Sequence, residues 1–282
     1  MNGRTFGATG IEVPVIGQGS WDLPESGARL EEAKRAIRRG IELGMVHIDT
    51  AEMYGNGRVE ELLGDAIAGI ARERLFLASK VLPGNASFHG TIAACERSLA
   101  RLKVDCLDLY MLHWPGDEPL DETMRALETL VESGKTRFIG VSNFDVDDLE
   151  RARSYLRRER LACNQVLYHV RERSIEFRVL PYCARQRIAV VAYTPFGRGR
   201  FPREAAAPDG VLARIAAKHG GTPRQAILNF LTRDSAAFTI PKASTVEHVE
   251  ENAGASRWAL DDEDVAAIDR AFPARDGPLA SL

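Results

Sequence analysis

The chain has 282 residues, of which 45% are hydrophobic, and its 37 basic residues nearly balance 40 acidic ones. This is enough apolar material for a sizeable core, and with no dense basic block it excludes a nucleic-acid or anionic-membrane partner as the first reading and favours a small-molecule one. Four scattered cysteines, Cys95, Cys106, Cys163 and Cys183, form no C-x-x-C pair, the start MNGRTFGATGIEVP lacks a secretion signal, and no apolar run is long enough for a bilayer, so a cytoplasmic protein is expected.

In chain order, RTFGATGIEVPVIG places Gly7 and Gly10 around Ala8-Thr9 between short apolar pieces, which predicts a β-hairpin leading into a strand near Val15–Gly19. ARLEEAKRAIRRGIELG then has apolar positions at helical spacing and stops on Gly44. Strands are expected at Met45–Asp49, Leu75–Lys80, Leu107–His113, Phe138–Val141, Asn164–Leu167, Ile188–Tyr193 and Phe238–Ile240. Helices are expected at Arg58–Ile70, Thr91–Leu102, Leu120–Ser133, Val146–Arg157, Ile175–Arg185, Val211–His219 and Pro223–Arg233, with Val246–Ala255 and Asp262–Ala271 following the last strand.

Short continuous apolar strands interleaved with helices predict a parallel sheet covered on both faces. Eight such strands, with no linker breaking the alternation, predict one α/β domain over residues 1–282. The expected architecture is a (β/α)8 TIM barrel with an N-terminal β-hairpin and two extra C-terminal helices.

In such a barrel the strand ends open onto one face, and three of them carry Asp49, Lys80 and His113, with Tyr54 in the loop after the first. Reducing a carbonyl needs an acid that stays protonated until transfer, and Tyr54 is the candidate. A phenol titrates near pH ~10, and an adjacent Lys80 ammonium is expected to lower that value. Asp49 would keep the buried lysine charged, and His113 would orient the substrate oxygen. Singly, each has a structural explanation, but an Asp–Lys ion pair leaves Tyr54 and His113 unexplained.

The motifs HIDTAEMYGN, LASK, LYMLHWP, IGVSNF, NQVLYH and IPKAS, in this order over essentially the whole chain, resemble those of the aldo-keto reductases. The resemblance implies a catalytic tetrad of Asp49, Tyr54, Lys80 and His113, and use of NADPH, less often NADH, without a Rossmann fold; no complete G-x-G-x-x-G run occurs here. It further implies that Ser142, Asn143 and Gln165 hold the nicotinamide carboxamide and that Tyr193 stacks on the ring. Ser20 and Trp21 are expected at the nicotinamide end. Thr194, Pro195, Phe196 and Gly197 are expected at the pyrophosphate, and Lys242, Ala243, Ser244, His248, Glu251 and Asn252 towards the adenosine. His248 stands where many members have arginine, and Ala243 where serine is common, so two phosphate donors are missing. Ser142-Asn143 also reads as a helix cap.

Trp21 and Trp114 are expected to wall the substrate pocket together with Tyr54 and His113. The short stretches Trp114 to Leu120 and Phe196 to Pro208 predict a shallow, open site for several aldehydes or ketones. Family habit implies a monomer or weak dimer. The alternative is a catalytically silent nicotinamide-nucleotide-binding sensor or regulatory barrel. A hydrolase lacks any G-x-S-x-G, H-E-x-x-H or P-loop pattern, since Gly134-Lys135-Thr136 has only a P-loop's tail. No metal site is expected.

Overall fold

Residues 2–198, 201–207 and 210–281 are described in the computed structural model. Strands β1 (Gly3–Thr5) and β2 (Glu12–Pro14) pair antiparallel, with Gly3 opposite Pro14 and Thr5 opposite Glu12. The turn between them is tied by Phe6 N–H donating to the Ile11 carbonyl at 2.8 Å. This hairpin plugs one end of the structure: Phe6 is fully buried, with ring centres of Phe76 and Phe238 at 4.9 and 5.0 Å.

The alternation that follows runs β3 (Gln18–Gly19), α1 (Gly27–Glu42), β4 (His47–Asp49), α2 (Arg58–Ile67), β5 (Phe76–Val81), α3 (Phe88–Leu102), β6 (Leu107–Leu112) and α4 (Leu120–Glu132). It continues with β7 (Thr136–Ser142), α5 (Val146–Tyr155), β8 (Leu161–Leu167), α6 (Val179–Gln186), β9 (Ala189–Tyr193), α7 (Arg203–Ala206), α8 (Val211–His219), α9 (Pro223–Leu231) and β10 (Ala237–Thr239). Helices α10 (Val246–Gly254) and α11 (Asp262–Ala271) end it.

From β3 to β10 each strand pairs in parallel with its sequence neighbours. The sheet curls until its ends meet: Gly17 N–H donates to Thr239 O at 2.8 Å, Thr239 N–H to Val15 O at 2.9 Å, and Gly19 N–H to Pro241 O at 3.2 Å. A side chain at Gly19 is excluded, because a Cβ there would lie 2.5 Å from the Ile240 carbonyl oxygen. The eight-stranded barrel read from the sequence is therefore the observed fold, with strand ends shifted by a few residues at most.

Strand periodicity places the site. Phe76, Ala78, Leu109, Met111, Cys163, Val191 and Phe238 share one apolar cluster with the hairpin, while Leu77, Tyr110, Val166 and Val190 belong to the cluster beneath the helices. Because successive side chains alternate faces, the inward rows extend to Asp49, Lys80, His113, Gln165 and Tyr193 at the C-terminal rim.

Two helices differ from expectation. The segment expected as one helix over 175–185 is a 3-10 turn, Ser174–Glu176, followed by α6. The break follows from Pro181, whose ring would clash with the carbonyl of Phe177 if the helix ran through. The four-residue α7 was not expected. Of the C-terminal pair, α10 lies along α1, joined by Arg39 Nε to Glu250 at 2.7 Å. Helix α11 packs on α8, where His219 Nε2 meets Asp264 at 2.6 Å. The described residues include no helix long and apolar enough to cross a membrane.

Candidate active site

Asp49 ends β4 and Lys80 lies near the end of the neighbouring β5, so parallel pairing brings their inward side chains together. Lys80 Nζ is fully buried and has a partner for each of its three protons: Asp49 Oδ1 at 2.6 Å, the Thr50 carbonyl at 2.7 Å and the Tyr54 hydroxyl at 3.4 Å. The second Asp49 oxygen accepts from Gln165 Nε2 at 2.7 Å, a contact across 116 positions of sequence. Both carboxyl oxygens thus face donors, an arrangement that suits only the ionised form.

Tyr54 reaches this pair because the chain reverses immediately after it. Gly55, Asn56 and Gly57 all have positive φ, at 56°, 54° and 92°, in a 3-10 turn that leads into α2. Glycine suits two of these positions because it lacks the Cβ that penalises left-handed backbone. The ring is buried, edge-on to Trp21 at 5.0 Å and to His113 at 5.8 Å between centres.

The electrostatics depart from the sequence expectation on one point. Burial holds the Tyr54 phenol above its ordinary value of 10; Lys80 and Arg198 act to lower it, without overcoming burial. The expected net lowering by Lys80 is therefore not found, because the ammonium is shared with Asp49 and the phenol has lost its water. Lys80 itself is raised despite burial, held charged by Asp49 and by the Tyr54 oxygen. Burial, reinforced by the Lys80 charge, pushes His113 down to about 2, so its imidazole is neutral at physiological pH. Its Nδ1 is buried without a partner among the described residues.

Asp49, Tyr54 and His113 line one cleft of about 310 Å³, with Lys80 buried behind them, together with Ser20, Trp21, Trp114, Asn143, Gln165, Tyr193, Thr194, Pro195 and Lys242, all expected from the sequence. Ser20 Oγ donates to the Asp49 carbonyl at 2.8 Å, fixing the end of β4. Asn143, with φ of 60°, donates through Nδ2 to the His113 carbonyl at 3.1 Å and to Ser142 Oγ at 3.0 Å, while its Oδ1 accepts from the Tyr193 hydroxyl at 2.8 Å. Trp21 and Trp114 are 40% and 37% exposed, so they form the rim of the cleft and are not core residues.

Ser142, Phe196, Gly197, Ala243, Ser244, His248, Glu251 and Asn252 do not line this cleft. Ser142 is buried beneath it; Phe196 lies under the Arg224 guanidinium, with 4.9 Å from the guanidinium carbon to the ring centre. Gly197 closes a turn on the Thr194 carbonyl at 2.9 Å. Ala243 and Ser244 lead to Thr245, whose side chain caps α10 by accepting from His248 N–H at 3.3 Å. His248 is exposed, Glu251 lies 3.8 Å from Arg224 Nε, and Asn252 is buried on the same helix. Within the loop 196–208, Gly199, Arg200 and Pro208 lie outside the described residues.

Gly19, Met53, Arg198 and Ile240 line the cleft without having been singled out in the sequence. Met53 was legible, since it adjoins Tyr54. Arg198 directly follows the Thr194–Gly197 loop, but nothing in the sequence aims it at Trp21, over whose ring its guanidinium carbon sits at 5.3 Å.

The sequence model of the aldo/keto reductase family matches residues 15–272. A methylglyoxal reductase of Escherichia coli, YeaE, is 40% identical over 270 residues, covering 96% of this chain and 95% of the relative. A glyoxal reductase of Bacillus subtilis is 38% identical over 262 residues, covering 92% and 89%. Among solved structures, an aldo/keto reductase from Klebsiella pneumoniae in complex with NADP and acetate superposes with a TM-score of 0.91, at 40% identity and 99% coverage of both chains. A Klebsiella pneumoniae aldo-keto reductase in complex with NADPH gives the same TM-score at 39% identity and full coverage of both. On fold, cleft and sequence together, the chain belongs to the aldo/keto reductase family.

Proposed function

We propose that this protein reduces small aldehydes and ketones to alcohols with NADPH, Tyr54 supplying the proton. The observation that carries the reading is the Tyr54 hydroxyl beside a fully buried Lys80–Asp49 ion pair, on a cleft it shares with a neutral histidine. When bound, the reduced nicotinamide supplies a hydride to the carbonyl carbon.

The residues fit that cofactor. Gln165 spends its amide nitrogen on Asp49, and no described residue donates to its Oε1, which is left to accept from a carboxamide. Tyr193 offers a ring on the cleft wall, and no described carboxylate pairs with Lys242, leaving it for a phosphate. The Asn143 amide is engaged by Ser142, the His113 carbonyl and Tyr193, so we assign Asn143 to positioning Tyr193.

The substrate oxygen accepts from the Tyr54 hydroxyl and from an N–H of neutral His113. As negative charge grows on that oxygen, Tyr54 gives up its proton, and the Lys80 ammonium stabilises the phenolate left behind. Asp49 keeps Lys80 charged in a place where burial alone would strip its proton. The raised phenol value suits this order of events: Tyr54 stays protonated until an alkoxide, a far stronger base, is there to take the proton. The exposed tryptophans form an apolar wall that accepts varied carbonyl compounds and discriminates between them weakly.

Purified protein with NADPH and an aromatic aldehyde should consume the reduced cofactor, followed by its absorbance. Tyr54→Phe should lower kcat by about 10²–10⁴-fold while NADPH still quenches tryptophan fluorescence. Undiminished turnover in that variant removes Tyr54 from the acid role, and cofactor binding without turnover in the native protein points to the sensor reading. Titration with both nucleotides tests the preference: NADH binding as tightly as NADPH would contradict a phosphate role for Lys242. We read the protein as acting on small molecules in the cytoplasm, as a monomer or weak dimer, which light scattering checks.

A further inference from the structure

Among the described residues that line the cleft, two are cations, Arg198 and Lys242, and one is acidic, Asp49, which is buried and bound to Lys80 and Gln165. A cleft with that balance concentrates anions. Lys242 has a role in the reading above; Arg198 has none.

The Arg198 guanidinium carbon lies 5.3 Å from the centre of the Trp21 ring, and that ring lies 5.0 Å from Tyr54. Seating on an indole orients the guanidinium without neutralising it. No hydrogen bond or ion pair joins Arg198 to another described residue, so its planar fork of donors, which matches a carboxylate in two parallel bonds, is left for a ligand. The Trp21 ring thus touches both this cation and the phenol. Its charge already reaches the site, since it favours the Tyr54 phenolate.

We propose that Arg198 is a specificity residue, gripping the carboxylate of aldehydes and ketones that carry an anionic group while their carbonyl oxygen reaches Tyr54. The inference rests on the reductase reading of the same cleft and narrows its substrate class. It runs against the weak discrimination expected of the apolar wall alone, because a charge-assisted bond separates substrates that methylenes do not.

The test compares para-carboxybenzaldehyde with benzaldehyde in native protein, Arg198→Met and Arg198→Lys. The ratio of kcat/KM, acid over neutral aldehyde, should fall about tenfold in Arg198→Met, mainly through KM, and partly recover in Arg198→Lys. An unchanged ratio overturns the proposal. So does an equal loss on both aldehydes matched by weaker NADPH binding, which assigns Arg198 to the cofactor. Terephthalate binding to the protein with NADP, followed by tryptophan fluorescence, requires no turnover. If Arg198→Met leaves it intact, the anion role fails whether or not the reductase reading stands. If it weakens while native protein turns over neither aldehyde, the reductase reading fails and the anion role survives.

Discussion

Lys80→Met removes one charge of a buried pair and keeps most of the side chain's unbranched stem. Lys80 is fully buried, and its ammonium covers Asp49 Oδ1, the Thr50 carbonyl and the Tyr54 hydroxyl at once. Methionine leaves a buried carboxylate with Gln165 as its one remaining donor among the described residues, and breaking a buried pair in this way costs roughly 3–5 kcal/mol. For a chain of this length that corresponds to a fall in Tm of about 5–8 °C. The variant also acquires a pH dependence. Burial is the largest influence on Asp49 and pushes it up; Lys80 is the largest opposing one, so without it the folded value climbs further above 3.8. A carboxyl whose folded value exceeds its unfolded one binds more protons when folded. That stability is fully present below the unfolded value and is lost as pH rises through the folded one. Lys80→Met should therefore be less unstable at pH ~5 than at pH ~8, and adding Asp49→Asn, which still accepts from Gln165, should restore much of the loss at the higher pH. Thermal unfolding by circular dichroism across pH measures all three chains. A single variant as stable as the native protein, or a double variant that loses the sum of two independent costs, refutes the coupling.

His113, held down to about 2, should contribute no histidine inflection to kcat/KM between pH ~5 and ~8; an inflection there that His113→Gln abolishes would show that the imidazole titrates. His47 is fully buried between Phe6 and Phe76, with neither ring nitrogen hydrogen-bonded among the described residues, and is pushed down to about 3. The unfolded chain binds its proton first, so stability is lost as pH falls from ~6.5 towards 3; His47→Leu should lose a few kcal/mol less over that interval in urea titrations. Gly19→Ala forces a Cβ to within 2.5 Å of the Ile240 oxygen at the barrel seam. It should cost about 1–3 kcal/mol and speed amide exchange at Thr239, whose N–H bonds to Val15 there; native exchange would mean that the seam yields freely.

Much of the site was legible because strand geometry is local. Once β4, β5, β6 and β8 are located, parity alone sends Asp49, Lys80, His113 and Gln165 inward, and parallel order sends their ends to one rim. Pro181 was an equally local signal, and heeding it would have split the helix expected over 175–185. The direction of the Tyr54 shift was not legible, since it depends on how much water the phenol loses against how the Lys80 charge is divided. The 243–252 segment was assigned by motif; Ala243 and Ser244 lead into α10 and His248, Glu251 and Asn252 lie along it, off the lining of the cleft.

What the sequence determined by itself is the pattern: strands of period two, helices of period near four, and reactive side chains at strand ends, each set by neighbours a few positions away. The tertiary structure decided what those side chains face. The bond from Gln165 to Asp49, the seating of Arg198 on Trp21 and the dehydration of Tyr54 join residues far apart in the chain, and their energies depend on distance and solvent exposure, which exist only once the barrel has closed.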